Sequence, residues 1–207
     1  MIVRRISQVR GGCCAATFDD GRAFRLHVET AMAAGLRPGS ELDEERLCEL
    51  LHSSELCLAR EYALRLLSAR ACTKKRLVER LCERYDEDIA EETARLMEDA
   101  GLLDDAGLAL MLAADMLRLR NYGDARVAQE LRRKGIASEE AEEAIDRAYE
   151  EFADDIPCEE ERIAGIIRRR APELSDERQK RRTVDSLIRL GYDYGDIKRV
   201  LREFTDE

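Results

Sequence analysis

Cys48 and His52 stand four residues apart in a stretch with helical periodicity, and Cys57 follows close enough to add a third soft donor. A thiolate and an imidazole at i and i+4 share one helix face, which is how a structural zinc ion is often gripped. The paired Cys-x-x-Cys that completes such sites is missing, so these positions read as ordinary helix residues and no metal is expected. Cys13 and Cys14 are adjacent, and the seven cysteines are odd in number and irregularly spaced, as in a cytoplasmic protein whose thiols stay reduced. The other histidine, His27, alternates with Leu26 and Val28 and is expected to face solvent. Two acidic pairs, Asp104-Asp105 and Asp154-Asp155, could hold a cation. Both stand just before a predicted helix, where a carboxylate caps the first turn and meets the positive end of the helix dipole. No Gly-rich phosphate loop, nucleophile elbow or dinucleotide fingerprint is present. The expected protein has no catalytic residues and no cofactor.

Arginine and lysine offer a different chemistry, contact with phosphates or carboxylates. They gather at a regular interval: Lys74, Lys75, Arg76 and Arg80; then Arg126, Arg132, Arg133 and Lys134; then Arg178, Lys180, Arg181 and Arg182. Acidic runs follow the first two groups, with Asp88, Glu91, Glu92 and Glu98 and then Glu139, Glu140, Glu142, Glu143, Glu150 and Glu151. One reading is a solvated surface with charges paired between helices. The other is that stacked units align the basic helices into a stripe that meets a partner. The candidate partner-binding residues are Arg118, Arg120, Tyr122, Arg126, Arg132, Arg133 and Lys134 in the second group, and Arg178, Arg181 and Arg182 in the third.

The elements that must carry these charges repeat. Arg76-Leu77-x3-Leu81 matches Arg126-Val127-x3-Leu131, and Leu102-Leu103-Asp104-Asp105 matches Phe152-Ala153-Asp154-Asp155 at the same separation. A degenerate third copy has Arg182-Thr183-x3-Leu187, with Leu190-Gly191-Tyr192 over Lys134-Gly135-Ile136. A period of about fifty residues signals copies of one supersecondary unit, each too small to bury its apolar face alone. Three-and-four spacing predicts three helices per unit: 58–68, 73–84 and 88–99; then 106–120, 123–134 and 138–152; then 158–170, a restart after Ser175 beyond a break at Pro172, and 193–204. Thr73 and Ser138 are expected at helix starts, Gly135 and Gly191 at helix ends. Leu81 and Leu131 are expected to be deeply buried.

Residues 1–30 are different. Short β-prone runs at 2–6, 13–18 and 22–28, with Asp19-Asp20-Gly21 as a tight turn, predict a β-hairpin element of up to three strands. Gly35 and Pro38-Gly39 punctuate the chain before a helix capped by Asp43, with Leu42 and Leu47 as a hydrophobic staple. The chain thus divides into an N-terminal β-hairpin element (1–40), a helical lead-in with repeat 1 (41–105), repeat 2 (106–155) and repeat 3 (156–207). The fold class is mainly α: tandem three-helix repeats in an elongated array behind a small β element.

Bulk composition agrees. The 207 residues are 44% hydrophobic, 39% charged and only 5% aromatic, without Trp and with three Pro, which suits thin, solvated helical layers. The net charge of −10 and a pI near 5.0 exclude a chain that is basic overall, as dedicated nucleic-acid binders usually are. No run approaches the ~20 apolar residues of a membrane span, and a cytoplasmic location with no membrane partner is expected.

Three blocks together resemble a known family. They are Ala63-Leu-x2-Leu-Ser-x-Arg70; Leu77-x3-Leu81 leading to Ala100-Gly-Leu-Leu-Asp-Asp105; and Arg120-x2-Gly123-x7-Glu130-Leu-x2-Lys-Gly-Ile136. With Asp20-Gly21-x2-Phe24 in the hairpin, they are similar to the RecX family of regulatory proteins over nearly the whole chain. The resemblance implies tandem three-helix repeats and a non-enzymatic modulator of the RecA recombinase. Such a protein lies in the groove of the RecA filament on single-stranded DNA and restrains ATP hydrolysis, filament extension and strand exchange, in DNA repair and recombination. The expected partner is therefore the RecA filament, with weak, non-specific contact to single-stranded DNA, and the regulator is a monomer. The alternative is a DNA-binding helical repeat module of helix-turn-helix type. Its third helices would have to enter the major groove, and two of the three are acidic, so phosphate repulsion opposes that docking.

Overall fold

The computed structural model describes residues 1–170 and 177–204, and the break at Pro172 and the restart after Ser175 lie outside the described residues. The chain divides into two compact units, Met1–Leu103 and Asp104–Glu207.

The first unit opens with a three-stranded antiparallel sheet, β1 (Val3–Val9), β2 (Cys13–Phe18) and β3 (Ala23–His27), in the order β1-β2-β3. The β2–β3 turn is built on Asp19-Asp20-Gly21, with Gly21 at φ +88°. Val28 does not extend β3. It begins a short helix, α1 (Val28–Ala33), that the strand pattern had absorbed. One face of the sheet packs Val3, Cys14, Ala16, Phe18 and Leu26 against Ala31, Leu47 and Leu50.

Asp43 caps the long helix α2 (Glu44–Ala69), its carboxylate accepting the Arg46 N–H at 2.7 Å. α2 is continuous through Ser53-Ser54, so the lead-in and the first repeat helix are one element. Ser54 escapes the usual cost of a helical serine because its hydroxyl accepts the His27 N–H at 2.7 Å. α3 (Lys74–Leu81), capped by Thr73, is shorter than expected, ending at Leu81 and not Arg84. With α4 (Glu87–Asp99), it encloses a core of Ala59, Tyr62, Ala63, Leu77, Leu81, Ile89, Ala90, Ala94, Met97 and Leu103.

The second unit repeats the plan twice. α5 (Asp105–Arg120), α6 (Asp124–Arg133) and α7 (Ser138–Glu151) bury Leu110, Ala113, Leu117, Val127, Leu131, Ile136, Ala141 and Ile145. α8 (Glu159–Arg170), α9 (Glu177–Leu190) and α10 (Tyr194–Glu203) bury Ile163, Ile166, Ile167, Leu187, Tyr192, Ile197 and Val200. The aligned positions behave alike: Leu77, Leu81, Val127, Leu131 and Leu187 are all fully buried, and Thr183 nearly so. Gly135 and Gly191 both adopt φ near +95° after the middle helices, as a left-handed C-cap requires.

Several local expectations are corrected. His27 is buried, not solvent-facing: its Nε2 lies 3.2 Å from Glu61 Oε1, because α2 crosses the end of β3. α7 starts at Ser138 as expected; the residue before it, Ala137, is the N-cap, and Glu140 accepts the Ala137 N–H at 3.1 Å. Asp104 does cap α5, but Asp154-Asp155 does not cap α8. Asp155 instead pairs with Arg118 at 3.3 Å, and the start of α8 is closed by Glu161 accepting the Cys158 N–H. All seven cysteines are free thiols. Cys57 accepts a hydrogen bond from Thr30, His52 lies 3.3 Å from Glu92, and Cys48 is exposed. Among the described residues, no helix is long and apolar enough to cross a membrane.

Candidate interaction surface

α6 sets the geometry of the second basic group. Val127, Ala128 and Leu131 take the buried face, so Arg132, Arg133 and Lys134 at its end are forced to solvent. Arg126 and Arg133 both reach back to Glu130, at 2.8 and 3.4 Å. Tyr122 stands before the helix, with the Arg120 and Arg126 guanidinium carbons 5.9 and 5.6 Å from its ring centroid. Arg118, one turn earlier, pairs with Asp115 and Asp155. Arg132 is exposed and makes no ion pair among the described residues. On α9, Thr183 and Leu187 are buried, and Arg178, Arg181 and Arg182 project outward. Arg181 and Arg182 likewise make no ion pair among the described residues.

Pairing within a helix therefore accounts for part of the basic group, as the solvated-surface reading expects, and leaves Arg132, Arg181 and Arg182 without an ion pair among the described residues. In the first repeat the same competition goes the other way, since Lys74 on α3 pairs with Glu98 on α4 at 2.6 Å.

Sequence reasoning missed what joins the second and third repeats. The Gly123 N–H donates to the Leu190 carbonyl at 2.9 Å, and the Tyr192 hydroxyl donates to the Asn121 carbonyl at 2.9 Å. Gly123 lies so close to Gly191 that a Cβ on Gly123 would sit 2.6 Å from the Gly191 carbonyl carbon and oxygen. A Cβ on Gly191 would overlap that of Arg126. Behind this contact Arg162 of α8 is buried, its side chain 1% exposed. It donates to the Tyr149 hydroxyl at 2.7 Å, the Pro157 carbonyl at 3.0 Å and Asp124 Oδ1 at 3.3 Å, and Tyr149 donates to the same Asp124 oxygen at 2.6 Å. Burial, followed by the hydrogen bond to Asp124, pushes the Tyr149 hydroxyl pKa well above its usual value, so it stays a donor. Burial and the Asp124 charge raise the Glu159 carboxyl pKa. The signal for Arg162 was in the sequence: it lies four residues before Ile166, on the apolar face of α8.

Gly191 should therefore tolerate nothing larger. Gly191→Ala combines a positive φ with overlap against Arg126 and should cost ~1–3 kcal/mol at the upper end. Gly21→Ala also has a positive φ but meets nothing within 4 Å, and should cost only ~1–2 kcal/mol. Urea unfolding of both variants checks the order. Equal losses would show that the contact of Gly191 with Arg126 contributes nothing.

The cluster around α6 lies within residues 104–145, which match the family model described as "RecX, second three-helix domain". A regulatory protein RecX of Mycobacterium sp. (strain KMS) is 34% identical over 142 residues, 65% of this chain and 74% of that protein. The chain belongs to the RecX family of regulatory proteins. A RecX regulatory protein of Clostridioides difficile (strain 630) is 28% identical over 191 residues, covering 91% of this chain and 87% of the relative. The fold is shared with solved RecX structures. One superposes with a TM-score of 0.70 at 23% identity over 100% of this chain and 99% of its own. RecX from Lactobacillus salivarius gives 0.63 at 21% identity over 75% of this chain and 99% of its own.

Proposed function

We propose that this RecX protein is a non-enzymatic regulator, mainly an inhibitor, of a RecA recombinase. It lies in the groove of the RecA filament on single-stranded DNA and restrains ATP hydrolysis, filament extension and strand exchange. The observation that carries the reading, beyond family membership, is the set of exposed arginines without acidic partners among the described residues, Arg132 on α6 and Arg181 and Arg182 on α9. An uncompensated guanidinium is free to form bidentate bonds with carboxylates on protein or with phosphates. Arg118, Arg120, Tyr122, Arg126, Arg133, Lys134 and Arg178 complete the proposed partner-binding surface. A filament groove is a long partner, which suits side chains spread over two repeats better than a single pocket would.

The helix-turn-helix reading meets an electrostatic obstacle. The exposed surface of α7 includes Glu139, Glu140, Glu142 and Glu143, which phosphates would repel. Contact with bare DNA is therefore weak, non-specific and strongly salt-dependent.

The test is ATP hydrolysis by the cognate recombinase on single-stranded DNA. Added at substoichiometric amounts, the protein should slow hydrolysis. An unchanged rate at equimolar protein would overturn the proposal.

A further inference from the structure

Charge in this acidic chain is segregated. Residues 1–27 contain five arginines (Arg4, Arg5, Arg10, Arg22, Arg25) against two aspartates (Asp19, Asp20), with no lysine or glutamate. Both aspartates are committed locally: Asp20 bonds Arg22, and Asp19 accepts the Ile2 N–H at 2.8 Å. The rest of the chain therefore carries more than the whole net charge of −10, and the sheet is its basic pole.

The longer of that pole's two strand margins, β1, is open along most of its length. Strand order places β1 and β3 at the two margins. The β3 margin is shorter and runs directly into α1, with the His27 N–H at its end taken by Ser54 of α2. The β1 margin is closed only at its start. There Val3 exchanges bonds with Ser40 and Gly39 at 2.9 and 2.8 Å, and Leu42 donates to the Met1 carbonyl. The chain then turns away at Arg37-Pro38, where Ser40 donates back to Arg37. From Arg4 to Gln8, no main-chain group bonds to anything beyond the sheet among the described residues. Along this stretch Arg4, Arg5, Gln8 and Val9 are exposed, Arg10 follows, and a register shift between Val3 and Arg5 accommodates Arg4. Arg4 and Arg5 form no ion pair among the described residues. The Gly11-Gly12 turn, with φ of +75° and +64°, anchors the far end of the strand.

An unpaired strand margin is a template for another strand, and charge on it decides which strand can pair. Arginines on β1 repel a second copy of the same margin. We infer that the β1 margin from Arg4 to Val9 is a docking site for an extended, acidic segment of a protein partner. The segment adds as a fourth strand, continuing the pairing that residues 39–42 begin. Main-chain hydrogen bonds supply the pairing, and Arg4, Arg5 and Arg10 select carboxylates along it. This inference is independent of the recombinase reading, because it uses only the first unit and its own readout.

The test uses the full chain and a fluorescent synthetic peptide alternating Glu with Val. Fluorescence anisotropy should show saturable binding that weakens as salt rises. Amide chemical-shift changes should concentrate on Arg4–Val9. The Arg4→Glu, Arg5→Glu double variant, altered only at exposed positions, should melt as wild type and bind about tenfold more weakly or not at all. The same peptide N-methylated at alternate residues keeps its charge but loses strand pairing, and should not bind. Equal binding of the N-methylated peptide would overturn strand addition. So would tighter binding of a single-stranded oligonucleotide to β1, or absence of any binding by the acidic peptide.

Discussion

Arg162→Ala should lower the stability of the second unit by ~3 kcal/mol, near the low end for removing one partner of a buried ion pair. The low end applies because Asp124 keeps 39% of its side chain exposed, so the carboxylate left behind can be hydrated. The rest of the loss comes from the void left by a side chain that is 1% exposed, and from the Pro157 carbonyl losing its donor. Arg162→Met separates these causes. It fills the volume with an apolar side chain, and Tyr149 and Tyr192 keep their bonds to Asp124 and the Asn121 carbonyl. Met, like Ala, leaves Asp124 and the Pro157 carbonyl without the guanidinium, so it should recover only the part of the loss that comes from the void. Because repeat proteins open by parts, the measurement is amide hydrogen exchange along α8–α10 together with urea unfolding. A loss below ~1 kcal/mol for Arg162→Ala would mean that the Gly123–Gly191 contact alone holds the two repeats.

What the sequence made legible was whatever depends on period and local chemistry. The matched Leu77-x3-Leu81, Val127-x3-Leu131 and Thr183-x3-Leu187 positions are buried in three separate cores, since helical spacing dictates which side faces inward. Asp43, Thr73 and Asp104 cap helices for reasons visible within four residues. His27 escaped because alternation along a strand assigns faces, and burial at the strand's end was decided by Ser54 and Glu61 on a distant helix. Asp154-Asp155 matched the capping pair of the preceding repeat in sequence. The turn before α8 is longer, however, and Asp155 found Arg118 instead. Arg162 was hidden by the habit of placing arginine outside. Its spacing from Ile166 marks the buried face, but its role depends on contact with Tyr149, Asp124 and Tyr192, which come from different helices and a turn. Among the proposed surface residues, the period brought Arg126, Arg132 and Arg133 onto one helix. It could not show that Glu130 binds two of them.

That distinction shapes the decisive mutagenesis. Reversing Arg126 would remove its bond to Glu130 and disturb the backbone against which Gly191 packs, so lost activity could reflect a loosened joint. Arg132 and Arg133 are exposed at the end of α6, and among the described residues Arg133 is linked only to Glu130 of its own helix, a surface pairing worth ~0.2–1 kcal/mol. Arg181 and Arg182 are exposed on α9. The combined Arg132→Glu, Arg133→Glu, Arg181→Glu and Arg182→Glu variant should therefore retain the helicity and melting temperature of the wild type. Under the proposed function it should need at least ~tenfold more protein to slow the recombinase's ATP hydrolysis, equivalent to ~1.4 kcal/mol of lost contact energy. Glu142→Lys with Glu143→Lys, a reversal on the exposed side of α7, should leave inhibition nearly unchanged. The pairing of the two variants separates local contact from net charge. The first makes an acidic chain more acidic and the second makes it less so, and a long-range charge effect would move potency in opposite directions and fade with salt. A loss of potency confined to the arginine variant and persisting at higher salt assigns the contact to α6 and α9. If that variant inhibits as well as wild type, these arginines are a solvated face and the filament is held elsewhere.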